Sequence, residues 1–249
     1  MIGAVPLPVS LPGLVASRWT SADRCTGVKE VYGVARLDRG RAEWWTAGKV
    51  FRGEPGALQL KHPGDVSRDV WRDGPLAFDV LAFPDVAALG GKVRPQRFVA
   101  PGDPRGAPFH RLYDAVAAGA ERLALETALA EALAVFASLD TGATTYAAPV
   151  RRAIELLRAR ASDPVALDAL AGHAGIDKFH LCRAFRAQVG MPTHAYQIQL
   201  RIMRAKQLLA AGVRPSEVAS LVGFCDQSLL NRHFRRIVGT TPGRYARGS

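Results

Sequence analysis

From Val28 to Phe83, apolar and polar residues alternate over short runs, each closed by Gly, Pro or Asp. A period of two with frequent turn formers predicts strands at Val28–Leu37, Ala42–Thr46, Lys49–Phe51, Ala57–Leu60, Asp65–Trp71 and Leu76–Ala82. Asp38-Arg39-Gly40 is the turn after the first of them. Many short strands in series indicate an antiparallel sandwich or small barrel. Residues 1–24, with Pro6, Pro8 and Pro12, read as an irregular arm, and the Pro- and Gly-rich stretch 84–107 yields no regular element.

At Pro108 the period changes from two to that of a helix. Helices are expected over 109–139, where Leu125, Leu129, Leu133 and Phe136 recur on one face. After a Thr- and Gly-containing stretch come helices at Val150–Ala159, Leu167–Ala174, Lys178–Val189, Thr193–Ala211, a short one opening at Pro215, and Gln227–Ile237. This organisation is α+β: an antiparallel β-barrel with helices over 1–140, a linker at 141–148, and an all-α unit over 149–249.

The helical half repeats itself. Leu170-Ala171, Gly175-Ile176, Leu181, Arg183, Phe185-Arg186 and Val189-Gly190 return as Val218-Ala219, Gly223-Phe224, Leu230, Arg232, Phe234-Arg235 and Val238-Gly239. The offset is 48 residues up to the turn and 49 after it, so the second turn holds one residue more. Ordered Gly, Arg and Phe landmarks mark two copies of one helix-turn-helix unit. In each, a glycine makes the turn and an Asp (Asp177; Asp226, or the adjacent Cys225) caps the second helix. Leu181, Ala184 and Phe185 then face the core, leaving Lys178, Phe179, Cys182, Arg183 and Arg186 outward. Gln227, Ser228, Asn231 and Arg232 form the matching outward set of the second copy. Arg suits bidentate contact with guanine, and Gln or Asn with adenine, when such a helix enters a major groove. Arg235, Arg236, Arg244 and Arg247 suit phosphates, which position a protein without reading sequence.

Charge agrees with this reading. The net charge is +11, and residues 151–249 hold 16 Lys+Arg against 6 Asp+Glu, so nearly all the excess lies on the repeat. A concentrated positive field points to a polyanion, nucleic acid or an acidic membrane surface. The helix between the copies spans roughly 28 Å at about 1.5 Å per residue, against about 34 Å between successive major-groove faces. Cys25, Cys182 and Cys225 are too few and too dispersed for a disulfide framework or a zinc knuckle. The proline-broken N-terminus fits a signal peptide poorly, and no apolar run approaches a membrane span. A soluble cytoplasmic protein with reduced thiols, no cofactor and no membrane partner is expected.

Residues 150–247 resemble the DNA-binding domain of AraC/XylS-family transcription regulators. The resemblance is carried by Val218-Ala-Ser-Leu-Val-Gly-Phe224, Gln227-Ser228, Arg232, Phe234-Arg235 and Gly239-Thr-Thr-Pro242. It implies base-facing positions at Phe179, Cys182 and Arg183 in the first copy and at Gln227, Ser228, Asn231 and Arg232 in the second. It further implies double-stranded promoter DNA and RNA polymerase as partners, and activation as the mode of regulation. Ala166, where the family has a capping Ser or Thr, and Cys182, at a position more often polar, depart from the pattern.

Residues 20–140 resemble the cupin-like sensing domain that often precedes this unit, with Pro55-Gly56 and Pro63-Gly64 similar to its two corners. Metal-binding cupins need several His and a carboxylate. His62 and His110 are the only histidines before residue 150, Ser67 and Arg68 stand where another would be, and a metallo-cupin enzyme is rejected. Tyr32, Trp44, Trp45, Phe51 and Trp71 are candidates to line a small-molecule pocket or simply to fill the barrel core, with Trp44 and Trp45 on opposite strand faces. Arg36, Arg52 and Arg68 would hold a carboxylate ligand or stay solvated. The Leu125–Phe136 face, within 121–139, would form a homodimer or pack on its own barrel. The expectation is a non-enzymatic regulator controlled by an effector. Its rivals are a module that only dimerises and a DNA-alkylation-repair fusion, for which Cys25 supplies no cysteine cluster.

Overall fold

The computed structural model describes residues 2–21, 26–46, 48–83, 98–139 and 146–247. It divides into two compact units, Met1–Thr144 and Thr145–Ser249.

Among the described residues the first unit has the strands β1 (Ile2–Leu7), β2 (Val15–Ser21), β3 (Thr26–Val28), β4 (Tyr32–Arg39), β5 (Ala42–Thr46), β6 (Lys49–Gly53), β7 (Leu58–Lys61), β8 (Val66–Arg72), β9 (Leu76–Phe83) and β10 (Phe98–Val99). They form a six-stranded sheet in the order β1-β2-β9-β4-β7-β10 and a four-stranded sheet in the order β3-β8-β5-β6, all antiparallel. The strands thus occupy two sheets rather than one closed barrel. The supposed arm, 1–24, supplies β1 and β2. Pro6 is tolerated because β1 is an edge strand, where an absent N–H breaks no inner ladder, and Pro8 and Pro12 lie between the two strands. In the stretch without an assignment, 84–97 lies outside the described residues, and the rest holds β10 and a one-turn helix at Pro104–Gly106.

Alternation decides what each face of the larger sheet meets. Val34, Leu58, Leu60, Leu81 and Phe83 point to helices α1 (Ala107–Ala117) and α2 (Arg122–Ser138), where they pack with Phe109, Leu112, Leu125 and Phe136. The intervening residues Ala35, Leu37, Gln59, Lys61, Leu76 and Phe78 face the smaller sheet and help line the space between the two. Leu125 and Phe136 are fully buried in that core, with Leu129 and Leu133 against it. Of the two roles expected for this face, packing against its own sheet is the one these residues take. On the sheet, buried Asp79 accepts from Arg18 at 2.8 and 3.0 Å, and buried Tyr113 of α1 donates to the Val34 and Asp79 carbonyls at 2.6 and 3.2 Å.

The second unit contains α3 (Ala148–Ala159), α4 (Leu167–Ala174), α5 (Lys178–Val189), α6 (Thr193–Ala210), α7 (Pro215–Leu221), α8 (Gln227–Val238) and α9 (Pro242–Arg247). Helix α6 serves both copies. Tyr196 packs on Phe185 of the first at 5.7 Å, while Ile198, Ile202, Ala205 and Leu209 enter the core of the second with Val218, Leu230 and Phe234.

Candidate nucleic-acid interface and sensor cavity

Both helix-turn-helix units follow from the same local rules. Gly175 and Gly223 take the left-handed conformation, at φ 72° and 83°, which side chains with a Cβ disfavour. Asp177 then caps α5, accepting from the amides of Phe179 and His180 at 3.0 and 2.9 Å, and Asp226 caps α8 through Leu229 N at 2.7 Å. Hydrogen bonds from those amides (His180 first for Asp177, Leu229 first for Asp226) hold both carboxyls below their ordinary range. Asp177 lies two residues past its glycine and Asp226 three, which locates the extra residue of the second turn. Ala166 precedes α4 without a side-chain cap.

The helices present the sequence-predicted residues outward. On α5, Phe179 is 70% exposed, Cys182, Arg183 and Arg186 are exposed, and Leu181, Phe185 and Val189 are buried beneath them. Lys178 is half-buried and already paired with Asp168 at 2.9 Å. On α8, Gln227, Ser228, Arg232, Arg235 and Arg236 are exposed and Asn231 is half-buried. Ser228, Asn231, Arg232 and Arg235 share one open concavity. Arg183, Arg186, Arg232 and Arg235 form no ion pair among the described residues. By contrast, Arg160 and Arg214, away from these helices, pair with Asp163 and Glu217. Unpaired exposed guanidinium groups leave a positive field for an external anion.

One residue escaped the sequence reading. Arg201 of α6 donates to Ala161 O, Asp163 O and Gly223 O at 2.8, 2.9 and 2.6 Å. It ties the loop before α4 to the turn of the second copy, and so fixes one helix-turn-helix against the other. Arg152 plays a related part in the first copy, donating to Ala174 O.

In the first unit a cavity of about 220 Å³ lies between the sheets. Trp44 lines it, lying over Gly53, where a Cβ would come within 2.2 Å of the indole. The other four candidates, offered for a pocket or for the core, do not line it. Tyr32 faces the helices, edge-on to Phe136, and Trp45 takes the opposite strand face beneath Arg68. Phe51 packs against Phe98 in the neighbouring core, and Trp71 is 45% exposed. For Trp71 the cause is an irregularity at Val70, where Glu43 pairs with Trp71 but Trp44 pairs with Asp69. One extra residue reverses the inward phase, so Ser67, Asp69 and Arg72 line the cavity and Trp71 turns out. The arginines considered for a carboxylate are also committed. Arg36 meets Asp38, Asp79 and Asp114, Arg52 pairs with Glu43, and Arg68 lies over Trp45. Among the described residues no cluster of His, Cys, Asp or Glu could hold a metal ion, and no helix is long and apolar enough to cross a membrane.

Comparison with known proteins places the helical half. Residues 170–248 match the family described as "Helix-turn-helix domain". A 79-residue segment is 39% identical to the uncharacterized HTH-type transcriptional regulator YbfI of Bacillus subtilis, covering 32% of this chain and 29% of that protein. An 82-residue segment is 34% identical to the HTH-type transcriptional activator AarP of Providencia stuartii, covering 32% of this chain and 61% of that one. The chain thus spans less than two thirds of the length of these relatives. Across 94% of this chain and 95% of the other, the fold is similar to unsaturated fatty acid bound wild-type ToxT from Vibrio cholerae, at 12% identity and a TM-score of 0.52. Residues 170–248 of this chain are therefore a helix-turn-helix domain, similar to those of HTH-type transcriptional regulators.

Proposed function

We propose that this chain is a cytoplasmic, sequence-specific transcription regulator that binds double-stranded promoter DNA through both helix-turn-helix units and receives its signal through the N-terminal unit. The observation that carries this reading is the pair of Asp-capped helices, α5 and α8, whose exposed polar and unpaired basic residues lie on the strongly positive half of the chain. In this reading Lys178, Phe179, Cys182, Arg183 and Arg186 face one major-groove segment, and Gln227, Ser228, Asn231 and Arg232 the next. Arg235 and Arg236 hold phosphates. Helix α6, about 27 Å long at 1.5 Å per residue, sets the two apart, and the Arg201 staple keeps them from turning independently.

Likeness to the activator AarP supports activation, with RNA polymerase as the second partner. A small-molecule effector is the proposed signal. ToxT shares the fold and has been solved with an unsaturated fatty acid, and this chain has its own inter-sheet cavity. The alternative, a front unit that only dimerises, loses its best surface to the core. A homodimer through 121–139 would have to use the outer side of α2, where Leu123 is exposed.

Fluorescence anisotropy on a duplex carrying the operator tests the DNA reading. Arg236→Ala should weaken binding to all sequences alike and lower the salt slope by about one. Arg232→Ala should cost about 1–3 kcal/mol on the operator and relax preference at one position. A base-specific effect of the first, or unchanged base preference in the second, would overturn these assignments.

A further inference from the structure

The inter-sheet cavity carries hydrogen-bond donors that the protein does not use. Trp44 Nε1 and Arg72 Nε are buried without a partner, in side chains only 7% exposed, and both residues line the cavity. Leaving such a group unmade costs about 1–3 kcal/mol, so native interiors keep few of them. The rest of the Arg72 guanidinium is satisfied, by the Asp69 carboxylate and by Ser21 O at 2.9 Å. Asp69, the acidic residue on the lining, is thereby taken up. Gln59 is turned to Ser67, donating at 3.0 Å.

Lys61 also lines the cavity, and its side chain has no hydrogen bond or ion pair among the described residues. Burial, and secondarily the charge of Lys29, hold its ammonium well below the usual lysine range, with Glu30 opposing. An anion in the cavity would offset that cost. The remaining walls are largely apolar: Trp19, Val28, Leu37, Leu76 and Phe78. At about 220 Å³ the space falls below the roughly 300–1,000 Å³ of drug-sized pockets and equals the liquid volume of roughly seven waters. A ring or short branched chain fits there; an extended long acyl chain does not.

We infer that this cavity binds a small apolar carboxylic acid as its anion, the carboxylate drawn by the unused donors of Lys61, Arg72 and Trp44 and the hydrocarbon body lying against Trp19, Leu37 and Phe78. This deepens the effector reading and rests on it only for the ligand's regulatory meaning, since binding itself can be measured without DNA.

The test is isothermal titration of the full chain with benzoate, 3-phenylpropionate and hexanoate, each beside its alcohol. At least one acid should bind at least ten-fold more tightly than its alcohol and quench tryptophan fluorescence. Lys61→Met should weaken that acid at least ten-fold and leave its alcohol unchanged. Should that variant fail to fold, Arg72→Lys, which keeps the charge but deletes Nε, together with the wild-type acid–alcohol comparison, decides the matter. No binding by any of the three acids, equal binding of acid and alcohol, or full acid affinity in the variants overturns the inference. Wild-type DNA binding is measured with and without the acid. Acid binding without DNA binding defeats the regulator reading alone, and DNA binding without acid binding defeats this inference alone.

Discussion

At His233 the packing of one ring makes the second helix-turn-helix sensitive to acid. The half-buried imidazole stacks on Phe224 at 5.7 Å, and its Nδ1 accepts from Arg236 at 3.1 Å. Burial first, then Arg236, Arg232 and His194, hold its pKa below the ordinary value. The unfolded chain, with a histidine pKa near 6.5, therefore takes up the proton more readily than the folded one. The stability this site contributes is present in full above about pH 6.5 and is lost as pH falls through that value and the depressed folded one. The melting midpoint of the wild-type chain should drop between about pH 7.5 and 5, and His233→Gln should flatten that limb. A variant with the wild-type profile would show that the histidine has no such part. The caps Asp177 and Asp226 add a separate loss only further down, as pH falls through their own depressed values.

At the scale of elements, the two copies tolerate change differently. A Cβ on Gly175 would meet the end of the Arg152 side chain at 3.1 Å, which can swing away, so Gly175→Ala bears mainly the left-handed strain of about 1–2 kcal/mol. A Cβ on Gly223 would lie 1.9 Å from Ser162 O, a backbone atom in the loop that Arg201 holds. Gly223→Ala should be clearly the more destabilising in urea denaturation; equal loss in both variants would mean that the loop gives way easily. The helical elements were legible because each copy carries its own periodicity, glycine and Asp cap. Arg201 was not, because its partners are backbone carbonyls 22 to 40 residues away, which no local pattern encodes. The strands from Tyr32 to Phe83 were legible for the same reason of period. Trp71 was misplaced because one irregular residue at Val70 inverts the alternation, and β1 and β2 were missed because Pro6 on the edge strand, with Pro8 and Pro12 between the two strands, makes the segment look like an arm. The cavity itself was only half visible. Trp44 was among the candidates, whereas nothing in the local pattern marks Lys61 and Arg72 as residues that a second sheet covers.

For the whole molecule, charge and architecture divide along the same line. The mixed front unit is nearly neutral and encloses a cavity, while the helical unit carries the positive excess and the two capped helices. With α6 shared between two cores and Arg201 bridging them, the helical unit holds its two helix-turn-helix copies in a fixed relation. Selection of bound duplexes from a random-sequence library tests this most directly, using the wild type, Arg183→Ala and Arg232→Ala. The wild type should recover a motif of two blocks about one helical turn apart, with each variant losing information in its own block alone. A single block, no preference, or loss spread over both blocks in either variant would contradict recognition by two separate helices.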